Sequence, residues 1–133
     1  MIELIERATD FAGRTAIKSE GQSYTYDKLL EESKNVALRL LDGQKDLYGA
    51  RIAFLVPASF EYAKIQWGIW RAGGIAVPLC EKHPLPSIEY VLNDTKASTL
   101  IFSEEFKPLL APLFNTSEIN FIPISEISFQ EGQ

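Results

Sequence analysis

The sequence predicts an α/β fold: a mainly parallel sheet built from β-α-β crossovers, with an N-terminal hairpin ahead of it. Three observations carry that prediction. Short apolar runs start near residues 51, 75, 98 and 120. Helical periodicities separate them, giving three consecutive crossovers. The stretch RAGGIAVPL, Arg71 to Leu79, joins a tryptophan-bearing helix to a strand through two glycines.

The elements follow in order. TAIKSE and SYTY flank Gly21-Gln22 and alternate polar with apolar residues, the pattern of a small hairpin. YDKLLEESKNVALRLLDG then places Leu29, Leu30, Ser33, Val36, Ala37, Leu40 and Leu41 on one helical face. Thr25 serves as N-cap and Gly43 as the C′ residue. RIAFLVP is a continuous apolar run, suited to a strand covered on both faces.

Ser59 caps the next helix, FEYAKIQWGIWRA. Its Glu61, Lys64, Gly68 and Arg71 form one narrow polar stripe. Phe60, Tyr62, Ala63, Ile65, Trp67, Ile69 and Trp70 fill most of the rest. A helix this apolar sits between layers. Gly73 is placed to take the left-handed conformation that ends a helix, and Gly74 to let the chain turn back tightly. IAV reads as a buried strand whose ladder Pro78 stops, because proline has no N–H.

PLPSIEYVLNDT puts Leu85, Ile88, Val91 and Leu92 on one face, with Pro86 in the first turn. STLIF is a buried strand, FKPLLAPLF a short helix interrupted by Pro112, and NFIPI a last strand. Residues 1–133 read as a single domain, with a flexible tail from about 126 to 133 where the composition turns polar.

Totals narrow the function. At 46% hydrophobic and 23% charged, the 133 residues are ordinary for a globular domain and long enough to bury a core. The net charge of -5 comes without a clustered basic face, which argues against a nucleic-acid surface. The single cysteine, Cys80, rules out an intrachain disulfide. Glu3, Glu6 and Asp10 interrupt the first residues, where a signal or transit peptide would be apolar or poor in acids. The expected location is the cytoplasm, with no transmembrane segment.

Candidate chemistry is sparse. In open α/β sheets ligands sit at the carboxyl ends of strands. Here those ends are Val56-Pro57-Ala58-Ser59, Pro78 to His83, and Ser103-Glu104-Glu105. Cys80 and His83 have C-x-x-H spacing, yet no further Cys or His exists to complete a metal site. The favoured reading is a buried loop cysteine beside a surface histidine. Glu104-Glu105 reads as a helix-start acidic pair rather than a catalytic one. Trp67 and Trp70 read as core before acyl pocket. Neither G-x-G-x-x-G nor G-x-x-x-x-G-K-[ST] occurs. Residue pattern alone therefore assigns no catalytic, cofactor-binding or metal-binding residue.

EGQSYTYDKLLEESKNVALRLL and the segment from Gly49 to Glu105 closely resemble the N-terminal part of AMP-forming acyl-CoA synthetases, members of the adenylate-forming superfamily. The features that carry the resemblance are Gly21 with Thr25-Tyr26, Ala58 to Glu61, Arg71 to Leu79, and Glu89 to Leu92 with Asp94. AVPL followed by Lys82-His83-Pro84 is most similar to malonyl-CoA-synthetase-like members. Cys80-Glu81 departs from the Asn/Asp-Pro that many members carry there, so no role of that loop is carried over.

The resemblance implies a three-layer piece of a larger adenylate-forming domain. It implies an acyl-CoA ligase in which a carboxylate attacks the α-phosphate of ATP and coenzyme A then displaces AMP, with Mg²⁺ at the phosphates. The family's phosphate loop and its adenine- and ribose-binding motifs lie downstream of the matched region, as does its C-terminal small domain. The chain is therefore expected to be inactive alone, holding no cofactor itself. The implied partners are the remainder of the ligase and, in the full enzyme, a carboxylic acid. Cutting there implies an exposed apolar patch, and self-association through the Trp67–Trp70 helix and the loop from Pro78 to His83. The alternatives are a stand-alone remnant acting as a binding module, and an unrelated nucleotide-binding α/β domain.

Overall fold

The computed structural model describes residues 15–19, 22–57, 59–115 and 118–131, with backbone only for 15–24 and 128–131. Glu3, Glu6, Asp10, Gly21 and Ala58 lie outside the described residues. Strands β1 (Thr15–Ser19) and β2 (Gln22–Thr25) pair antiparallel as the hairpin. They lead into α1 (Tyr26–Leu41), β3 (Arg51–Leu55), α2 (Phe60–Arg71), β4 (Ile75–Pro78), α3 (Leu85–Thr95) and β5 (Thr99–Phe102). A 3₁₀ turn at Glu104–Phe106 precedes α4 (Lys107–Phe114), β6 (Asn120–Pro123) and α5 (Ile124–Glu131).

Four strands form one all-parallel sheet in the order β4-β3-β5-β6. Both of its faces are covered, as a parallel sheet requires. Ile52 and Phe54 of β3, with Val56 just past its end, join Ile65 and Ile69 of α2 and Ile127 of α5. Ala53 and Leu55 instead join Ile88 and Leu92 of α3 and Leu110 and Leu113 of α4. The apolar run thus serves two cores, one per face.

The turn at RAGG is a Schellman motif. Gly73 has φ 86°, its N–H donates to Trp70 O at 3.0 Å, and Gly74 N–H donates to Ile69 O at 2.9 Å. The same turn anchors the loop before β3: Leu47 and Gly49 N–H donate to Ala72 and Gly73 O, each at 2.9 Å. Upstream, Thr25 Oγ1 caps α1 by accepting from Lys28 N–H at 3.2 Å. At the other end Asp42 turns left-handed one residue ahead of Gly43.

Three readings need correction. The IAV strand is not buried: β4 is an edge strand, and Ile75 is 47% exposed. An apolar run cannot by itself tell an edge from a centre. Nor does Pro78 stop the ladder, because Leu79 N–H continues it to Phe54 O at 2.9 Å. Ile75 and Leu79 donate toward β3, so at period two Pro78 faces the open edge, where a missing N–H costs nothing. Helix α4 runs through Pro112 rather than breaking there. Proline removes the bond to Pro108 O, but buried Leu110 and Leu113 hold the short helix on the core. Helix α5 spans Ile124–Glu131, and its Ile127 is 2% exposed against Ile52 and Ile122.

Candidate functional site

The strand order reverses between β3 and β5, so the crevice of this sheet opens at their carboxyl ends. Ser103 N–H donates to Leu55 O at 3.1 Å there and draws the two ends together. Ser59 works as predicted: its Oγ accepts from Tyr62 N–H at 3.4 Å and donates to Pro57 O at 2.9 Å. Both of its roles are structural.

Cys80 is exposed, not buried, as is His83. Their C-x-x-H spacing is that of a turn, closed by His83 N–H donating to Cys80 O at 3.1 Å. Among the described residues no three His, Cys, Asp or Glu side chains gather as metal ligands. Glu104 and Glu105 open the 3₁₀ turn before α4, the helix-start position expected of them. Glu104 Oε1 accepts from Ser125 Oγ at 2.6 Å. Trp67 is buried in a core cluster with Leu29 and Phe60, and half-buried Trp70 and Tyr26 pack against it.

A groove of about 440 Å³ runs beside β6. Phe102, Phe114 and Phe121 line it, with Phe114 ring centroids 5.9 and 4.9 Å from the other two. Glu104, Lys107 and Glu126 stand at its polar side.

The most concentrated charge lies elsewhere, between α1 and α2. Of the stripe Glu61-Lys64-Gly68-Arg71, Lys64, Gly68 and Arg71 face α1, while the Glu61 side chain stays 39% exposed. Lys64 is 2% exposed, with Nζ 3.0 Å from Glu32 Oε1 and 3.0 Å from Glu61 Oε2. Glu32, 6% exposed, also pairs with Lys28 at 2.8 Å. Arg71 Nη1 donates to Leu30 O at 2.6 Å and to Ser33 Oγ at 2.9 Å. Gly68 is needed between them, since any Cβ there would overlap the Val36 side chain.

Burial pushes the Lys64 ammonium toward a lower pKa, but Glu61 and Glu32 outweigh it and leave the value raised. Burial likewise works against ionised Glu32, and the hydrogen bonds and charges of Lys28 and Lys64 reverse it to a net lowering. Burial lowers Arg71. A lysine held protonated by two carboxylates is no nucleophile. The seam fastens α2 to α1.

The sequence reading missed Glu32 altogether and left the α2 stripe without a partner. The signal was present in Gly68: a glycine inside a polar helical stripe marks a close backbone approach.

The family profile of AMP-binding enzymes matches residues 4–126. The mitochondrial malonate–CoA ligase of Homo sapiens is 32% identical over 123 residues, covering 90% of this chain and 21% of that protein. A long-chain-fatty-acid–CoA ligase of Salmonella typhimurium is 28% identical over 131 residues, covering 98% of this chain and 23% of its own length. The chain thus spans about a fifth of the curated relatives it matches.

Among solved structures, an anthranilate CoA ligase in complex with anthranoyl-AMP superimposes with TM-score 0.81 at 27% identity, over 91% of this chain and 24% of that one. The o-succinylbenzoate coenzyme A synthetase of Bacillus subtilis, solved with ATP and magnesium ion, gives TM-score 0.80 at 22% identity over 93% of this chain and 33% of its own. With sequence and fold in agreement, the chain belongs to the AMP-binding enzyme family.

Proposed function

We propose that the chain is a scaffold layer of an ATP-dependent acyl-CoA ligase, and that the chemistry belongs to parts of such a ligase outside these residues. The observation that carries this is the pairing of a fold match at TM-score 0.81 with a sequence that contains no phosphate-binding glycine loop. The full reaction joins a carboxylate to coenzyme A through an acyl-adenylate, using ATP and Mg²⁺. This chain contributes the sheet and helices that those parts pack against, and no residue in it is assigned to ATP, Mg²⁺ or coenzyme A.

For the carboxylate, malonate is the favoured choice. Malonate–CoA ligases of Homo sapiens and Arabidopsis thaliana are 32% and 28% identical to this chain. Lys82-His83-Pro84 after AVPL points the same way. The lone cysteine fits a reducing compartment, and the cytoplasm is the location proposed here; the human relative is mitochondrial by name. Self-association of the isolated chain is also proposed. Exposed Ile75 on β4, half-buried Trp70 and the exposed loop residues Pro78 and Cys80 support it, with β4 and β6 the outer strands of the sheet among the described residues.

Pyrophosphate release from ATP tests the central proposal. The isolated chain, offered malonate, palmitate or anthranilate, is expected to match a heat-killed control. Turnover above that control would place the chemistry within these residues and overturn the reading. Sedimentation velocity over a range of concentrations tests self-association, which a clean monomer throughout refutes.

A further inference from the structure

We infer that the buried charges between α1 and α2 are a register lock, fixing which turn of α1 rests on α2 and contributing little net stability. The argument starts from what a displaced α1 would meet. Helices present equivalent positions every turn, about 5.4 Å apart, so a one-turn slide is the smallest displacement that sets α1 side chains facing α2 again. Along α1 the residues one turn either side of Glu32 are Lys28 and Val36. A slide that brings Lys28 into the place of Glu32 sets lysine against buried Lys64. The opposite slide brings Val36 there and removes one of the two carboxylates that Lys64 has at 3.0 Å. Each displacement also lifts Val36 out of the notch at Gly68.

Apolar packing discriminates least in the C-terminal half of α1, where the slide that moves Val36 into the place of Glu32 puts Leu40 and Leu41 into those of Val36 and Ala37. Charge does not average out in this way. A buried ion pair commonly breaks even against an apolar pair of similar size, so its worth lies in which arrangements it forbids. Among the charged groups facing Lys64 are Glu32 and, behind it, Lys28 from α1, and Glu61 from α2 itself. Arg71, about two turns further along α2, adds a second pin, gripping Leu30 O and Ser33 Oγ.

Two variants of the full chain test the lock by NMR, with the cross-peak between the Val36 methyls and the Gly68 Hα protons as signature of the native register. In Glu32→Met/Lys64→Met the thermal midpoint is expected to be unchanged or higher. A second set of α1 amide signals lacking that cross-peak should appear. Lys28→Glu leaves the buried pair in place but makes the slid arrangement attractive, setting the introduced carboxylate against Lys64. It too should show the second set. Lys34→Glu makes the same charge change at an exposed position and should show one set only. A single set with the cross-peak retained in both test variants overturns the inference. So does a marked fall in the midpoint of the double variant with one register kept, because the pair is then a stabiliser. Should the double variant not fold, Lys28→Glu decides alone.

Discussion

The two sides of the sheet solve the same packing problem differently. Toward α3 and α4 the interior is wholly apolar, from Ala53 and Leu55 through Leu100 and Phe102 to Ile88, Leu92, Leu110 and Leu113. Toward α2 the first contact is also apolar, but α2 must then bury its outer face against α1, and there the interior carries Lys64, Glu32 and Ser33. A helix covered on one face can leave its polar stripe in water. A helix covered on both cannot, so its charges must meet partners of opposite sign. The second solution costs desolvation and returns definition of place.

The largest expected effect is on the apolar side. Leu100 is fully buried between α3 and α4. Leu100→Ala should cost about 2–5 kcal/mol through lost contact and the cavity left behind. Urea unfolding checks it. A loss below about 1 kcal/mol would mean that the layer collapses to fill the hole and is less rigid than its packing suggests.

Next is the turn shared by both regions, where α2 ends and β4 begins. Gly73→Val places a branched side chain at φ 86° and drives its Cβ into the Asp46 carboxylate. A loss of about 1–3 kcal/mol is expected from strain alone. The urea midpoint relative to the parent chain measures it, and an unchanged midpoint would show that the loop at Asp46 yields freely.

On the seam itself, Lys64→Met should cost about 1–2 kcal/mol, less than the apolar truncation, although Lys64 is as deeply buried as the core leucines. The smaller figure follows from redundancy. Lys28 remains at 2.8 Å to neutralise Glu32. The thermal midpoint is the readout, moving by about 3–5 °C per kcal/mol at this chain length. A fall as large as that of Leu100→Ala would make the seam a main support, and the contrast between the two sides would disappear.

What was legible in the sequence follows the same division. The stripe Leu85, Ile88, Val91, Leu92 was readable because a singly covered helix advertises its buried face by period. Gly73 was readable because few residues tolerate its conformation. Glu32 was not. It sits beside Glu31 in LEESK, and nothing local separates the buried acid from its exposed neighbour. Burial of a charge is decided by the partner helix, which the local pattern does not contain. The edge position of β4 was hidden for a similar reason: strand order is a property of the sheet, not of IAV. For the candidate site, the residues that looked reactive, Cys80 with His83 and Glu104 with Glu105, form a surface turn and a helix start, and neither pair is assigned a role. The family emerged only from the order and spacing of several motifs together.

The smallest expected effect separates the two regions by pH. Glu32 has a folded pKa below its ordinary value of 4.5 because, against the penalty of burial, Lys28 and Lys64 favour its charged form. A depressed carboxylate contributes stability that is present above 4.5 and lost as pH falls through the lower folded value. Lys64 has a folded pKa above 10.5, so its contribution is present below 10.5 and lost as pH rises through the higher folded value. Between those limits the seam is at full strength. Glu32→Gln removes the acid-side term and leaves the apolar cluster untouched. The midpoint difference between parent and Glu32→Gln should therefore be flat through neutral pH and shrink below 4.5. Leu100→Ala, by contrast, should hold its deficit at every pH, since no titratable side chain belongs to its cluster. Thermal melts of the three proteins from acid to neutral pH test this, and a Glu32→Gln difference that stays constant into acid would show that Glu32 does not enter folding as a charge.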